Sequence, residues 1–150
     1  MNINLEQART IIQAALEHGN TAGMKPLCVA VLDAGGYLVA FEREDGVPNR
    51  RFDVAHGKAY GAISIGVSSR KLGEAAVDRP HFVNGLIGAM DGNLVPVPGG
   101  VLVTDEVGLV IGAVGCSGDT SDNDEDAVVA GIEAAGLTAK IQGGSWCYRG

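Results

Sequence analysis

At 150 residues, 46% apolar and 19% charged, the chain has the length and make-up of one ordinary packed domain, and residues 1–150 are read as a single unit. A net charge of −7, with no basic cluster larger than Arg50-Arg51 or Arg70-Lys71, argues against nucleic acid and against an anionic membrane as partners. No window approaches the roughly 18 uncharged apolar residues of a membrane span. The start Met1-Asn2-Ile3-Asn4 lacks a basic signal-peptide region, so the expected location is the cytoplasm.

In chain order, Leu5, Ala8, Ile11, Ile12, Ala15 and Leu16 recur at helical spacing between Asn4, a natural N-cap, and Gly19, which predicts an amphipathic helix. Residues 27–32 and 37–41 are two apolar, valine-containing runs separated by Asp33-Ala34-Gly35-Gly36, the pattern of a β-hairpin. An Asp that can bond its own turn backbone, followed by two glycines, lets the chain reverse in a few residues. A polar exit, Glu42 to Gly46, follows, and a site could form at that border.

Residues 52–66 predict a second helix with unusual faces. Ala55, Lys58, Ala59 and Ala62 share one side, Phe52, His56, Tyr60 and Ile63 lie beside them, and Gly57 and Gly61 lie behind. Each glycine costs such a helix about 1 kcal/mol relative to alanine, so a close-packed neighbour must offset the loss. Short helices are expected over 70–77, capped by Ser68 or Ser69, and over 81–90. The period then changes to that of strands, over 94–97, 101–104 and 109–116. A last helix over 127–135 has Ser121 or Asp122 as N-cap and Gly136 just past its end. Residues 143–150 read as a tail in which Trp146 and Tyr148 could dock. Strands joined by tight turns must run antiparallel, so the fold class is α+β, a five-stranded antiparallel sheet packed with helices.

Several side chains invite chemistry. His18 sits near a helix end, where it serves as a favourable cation. His81 is undecided between surface and pocket wall. His56, between Phe52 and Tyr60, is the aromatic-flanked imidazole of the sort that a haem site uses, yet a core histidine bonded to a carbonyl is the somewhat better account of the pattern. Lys58 among alanines needs a partner if buried, and Asp33, Asp45 or a ligand carboxylate are the candidates. Arg43, two residues before Asp45, could fork onto a carboxylate. The acids of 119–126 lack the calcium-loop pattern and fit helix capping. Cys28, Cys116 and Cys147 read as reduced thiols, and Cys116 stands before a helix N-terminus, where a thiol pKa would fall.

Taken together, VAVLDAGGYLVAFEREDG (29–46), AHGKAYGA (55–62), PGGV (98–101) and IGAVGCSGDTSDNDEDAVVAGI (111–132) resemble the GlcG/HbpS haem-binding family, which includes the C-terminal domain of PduO-type proteins. The resemblance implies a profilin-like α+β domain, homo-oligomers, and haem as a cofactor of some members. Asp33, Gly36, Arg43, Asp45, Lys58, Gly100, Gly115, Asp124 and Glu125 keep the family's residues, while Cys116 stands where valine is more frequent.

Three readings follow. The first is a cytoplasmic, homo-oligomeric haem-binding protein with His56 as iron ligand and Arg43, Asp45, Phe52, Lys58, Tyr60 and Cys116 around the ligand. The second is a catabolic enzyme or accessory protein that binds a small carboxylated molecule in the same pocket, with Lys58 and Arg43 on the anion and His56 as acid or base. The third is a ligand-free structural domain whose charges only pair. Self-association is expected because the Gly57/Gly61 stripe and the apolar sheet need more cover than a few short helices give.

Overall fold

Helix α1 (Leu5–Thr21) opens with a capping box: the Asn4 side chain accepts from the Gln7 N–H, and Gln7 reaches back to the Asn4 N–H. It runs past Gly19, where the sequence suggested an end. Gly19 is buried, and a Cβ there would stand 2.7 Å from Leu27 Cδ1, so this glycine serves a close neighbour and does not stop the helix. The chain is described from a computed structural model over residues 2–141; the expected tail, with Trp146, Cys147 and Tyr148, lies outside the described residues.

Strands β1 (Cys28–Asp33) and β2 (Leu38–Arg43) pair antiparallel around the expected turn. Asp33 closes it, its Oδ1 accepting from the Gly35 and Tyr37 N–H groups, while Gly36 takes a φ of +82°. Helix α2 (Arg51–Ile65) ends on Gly66 in the left-handed region. Helix α3 (Ser69–Asp78) is capped by Ser68, and α4 (Pro80–Ala89) starts on a proline, which has no N–H to leave unpaired. Strands β3 (Gly100–Thr104) and β4 (Val110–Ser117) follow, then α5 (Ser121–Ala134), which is capped by Thr120 and begins well before residue 127, and β5 (Thr138–Lys140).

The sheet order is β2-β1-β4-β3-β5 with every neighbour antiparallel, so the α+β class and the strand count stand. The membership differs in one place. Residues 94–97 were expected as a strand, but they lie along α2: the Val95 N–H donates to Gly57 O at 3.2 Å, and Pro96 has no N–H for a ladder. The fifth strand is instead Thr138–Lys140, whose three residues pair with Leu102 to Thr104.

Alternation along the strands splits the core. Val29, Val31, Val101, Val103, Val114 and Cys116 face α1 and α5, whereas Leu32, Leu102 and Ala113 face α2. Helices α3 and α4 build a smaller cluster of their own around Leu72, Val83 and Leu94. A Cβ at Gly57 would stand 2.7 Å from Val95 Cγ2 and one at Gly61 2.8 Å from Leu94 Cγ, so the glycine stripe of α2 is covered from within the chain. That removes the stripe as a reason to expect a second copy.

Candidate functional site

Helix α2 carries Phe52, His56 and Tyr60 four residues apart, which lines them along one edge. The His56 ring lies 5.5 Å from Phe52 and 5.4 Å from Tyr60, nearly parallel to the latter at 17°. Phe41 from β2 meets Phe52 edge-on at 4.8 Å and extends the row onto the sheet. At its other end the row reaches the hairpin turn, where a Cβ on Gly36 would come within 3.2 Å of Tyr60. All four rings are half-buried, so the row is an open wall.

Burial pushes the His56 pKa below its ordinary 6.5, with the nearby Asp53 carboxylate acting in the other direction. The imidazole is therefore neutral at pH 7. Among the described residues no hydrogen bond ties either ring nitrogen, so both lone-pair and N–H positions are open to a ligand. A neutral, unbonded imidazole stacked on Tyr60 and flanked by the tilted Phe52 ring is the side chain here that would hold a haem iron.

The other residues expected around the ligand fall in two different places. Arg43 and Asp45 line an open cleft of about 430 Å³ with Asn20, Met24, Pro26 and Glu44. Asp45 lies beyond the end of β2, and Arg43 Nη1 donates to Val47 O at 2.7 Å, which fixes one side of its fork. Arg51, in the first turn of α2, donates to Ser117 Oγ at 3.3 Å.

Lys58 and Cys116 are interior. Lys58 is 2% exposed, and its Nζ donates to Asp124 Oδ2 at 3.1 Å and to Cys116 O at 2.9 Å, so its partner is Asp124 in place of the expected Asp33 or Asp45. The glycines at the start of β3 make room for this path: a Cβ on Gly99 would stand 2.9 Å from Nζ, and one on Gly100 2.3 Å from Lys58 O. The Cys116 thiol, expected to be lowered at a helix N-terminus, is pushed well up, first by burial and then by the Asp124 carboxylate. Cys28 is likewise raised, to about 11, mainly by burial.

Four of the five acids of 119–126, all but the exposed Asp126, have hydrogen-bond or ion-pair partners within the protein. Asp119 accepts from Asn123, Lys25 N–H and Thr120 N–H, which holds its carboxyl down at about 2. Arg70 shares its Nε–H between the two Glu125 oxygens at 3.1 and 3.0 Å and donates from Nη2 to Asp122. Among the described residues no group of three or more His, Cys, Asp or Glu side chains is arranged to hold a metal ion. Sequence reasoning missed two participants, Phe41 and Asp124. Phe41 could have been found from the strand alternation that sets it on the α2 face of the sheet; Asp124 looked like one helix-capping acid among several.

The chain matches the family described as haem degrading protein HbpS-like over residues 3–133, and it belongs to that family. Among solved structures, a PduOC–haem complex is 22% identical with a TM-score of 0.83, covering 93% of this chain and 99% of that one. The Klebsiella pneumoniae protein ORFY is 24% identical with a TM-score of 0.81, at 89% and 90% coverage. A doubly substituted HbpS from Streptomyces reticuli is 27% identical with a TM-score of 0.75, at 89% and 86% coverage. No curated protein matches the sequence. No helix among the described residues is long and apolar enough to cross a membrane.

Proposed function

We propose that this chain is a haem-binding protein that seats the porphyrin on the Phe41-Phe52-His56-Tyr60 wall, with a His56 nitrogen on the iron. The observation that carries the reading is His56 itself, neutral, half-buried, stacked on Tyr60, flanked by the tilted ring of Phe52 and without a hydrogen bond among the described residues. Membership of a haem-related family supports it. Arg51, on the same helix as three of the wall's rings, keeps guanidinium N–H groups beyond its bond to Ser117 and suits a propionate. The wall covers one face of a flat ligand, and a second copy covering the other is the ground for proposing a homo-oligomer; the cytoplasm is the proposed location.

The competing reading, a small carboxylated ligand, would use the Arg43 cleft, because Lys58 is already committed to Asp124. Titrating haemin into the apo protein tests both. A saturable Soret band that shifts or weakens at least about tenfold in affinity in His56→Ala is expected, the loss of one axial bond being a matter of more than about 1.4 kcal/mol. A wild type that gives no band yet is stabilised by small organic acids would overturn the haem reading in favour of the cleft. Light scattering at micromolar concentration should give a mass above the 15.3 kDa of one chain.

A further inference from the structure

Five of the large apolar side chains that the molecule exposes gather at one end of the sheet. Tyr37 (74% exposed) and Leu38 (49%) sit at the β1–β2 turn, Val107 (79%) and Leu109 (59%) at the β3–β4 turn, and Leu5 (46%) at the start of α1. Both hairpin turns fall at this end because β1 and β3 run the same way, each antiparallel to β4 between them. The β3–β4 turn lies apart from the aromatic wall, which meets the β1–β2 turn only where Tyr60 packs against Gly36. Between the β3–β4 turn, α1 and the end of α5 lies an open groove of about 460 Å³, with Val107, Ile111 and Leu137 as apolar walls. Concentrated exposed apolar surface of this kind on an otherwise well-packed chain marks an interaction site.

Charge decides what fits there. Asp105 and Glu106 form the rim, and among the described residues no lysine or arginine lines the groove. Asp105 Oδ1 accepts from the Val107 and Leu109 N–H groups, which fixes its carboxylate in place, while Glu106 is exposed. The C-terminus of α5 opens into the same groove at Ala135 and Gly136, with no basic residue in its last turn to offset the negative end of the helix. A symmetric contact with a second copy would press these carboxylates against their equivalents. We infer that the groove is a docking site for a basic amphipathic segment of another protein, an apolar side chain seated between Val107, Ile111 and Leu137 and flanking lysines or arginines over Asp105, Glu106 and the α5 carbonyls.

The test uses the full chain and two fluorescently labelled amphipathic model peptides, one of leucine and lysine and its counterpart of leucine and glutamate. The lysine peptide should bind saturably and the glutamate peptide should not. Glu106→Gln with Val107→Ser should weaken the lysine peptide about tenfold. Glu74→Gln with Val77→Ser, an equal change of charge and apolar surface on exposed positions of α3, should leave it unchanged. Equal weakening in the two variants would mean attraction to the net charge alone and would overturn the site. A fall in the oligomeric mass of the Glu106/Val107 variant, with peptide binding intact, would assign the groove to a second copy instead.

Discussion

Burial holds the His56 imidazole below the ordinary 6.5, so between that value and the lowered one the unfolded chain binds more proton than the folded one. The sign follows: the His56 contribution to stability is complete above about 6.5 and is lost as the pH falls through that window. An NMR titration of the ring should show a midpoint below 6.5, and a midpoint above it would remove burial as the controlling cause. Haem affinity should also survive to lower pH than a free imidazole would permit, because the proton competes later with iron. Lys58 belongs to the same scale. Its place among small apolar neighbours showed that a buried ammonium would need a carboxylate, but which one was not legible, since Asp124 is 66 residues further along. Lys58→Met leaves Asp124 buried and unpaired and should cost about 3 to 5 kcal/mol. Lys58→Met combined with Asp124→Asn, which keeps an acceptor for the Asp119 N–H, should recover much of the loss in a melting curve; no recovery would mean that the pair itself is not the source.

Among the elements, glycines that look alike in the sequence have opposite consequences. A Cβ on Gly115 of β4 would stand 2.0 Å from Ala55 O, a backbone atom of α2, so the helix would have to move off the sheet. Gly115→Ala should therefore destabilise by about 1–3 kcal/mol or more. Gly85 and Gly88 on α4 are exposed with nothing within 4 Å of an added Cβ, and alanine there should stabilise by roughly 0.5–1 kcal/mol each through helix propensity. Melting temperatures that move the same way in the Gly115 and Gly85 variants would contradict this packing. The sequence makes the helices and the first hairpin readable through period and turn chemistry. Residues 94–97 misled for a physical reason: alternating Val and Pro mimics a strand, yet prolines lack the donors of a ladder, and the glycines of α2 offered that segment a better neighbour.

For the whole molecule, antiparallel pairing was legible because tight turns force it, whereas the position of β4 between β1 and β3 was not, since no local signal selects a strand's distant neighbour. The same limit applied to the site. Four-residue spacing put Phe52, His56 and Tyr60 together, but the separation of Arg43 and Asp45 into another cleft, and of Lys58 into the interior, depends on tertiary packing. The Lys58–Asp124 pair joins helices that cover opposite faces of the sheet, passing by the glycines at the start of β3. It can close only after both layers have docked, which places it late on the folding route and makes it a brake on the way out. In a chevron analysis Lys58→Met should raise the unfolding arm while leaving the refolding arm nearly where it was. The native lifetime of this protein would then be set by a bond that takes almost no part in reaching the native state; a refolding arm slowed by as much as unfolding is sped would show the two layers meeting early instead.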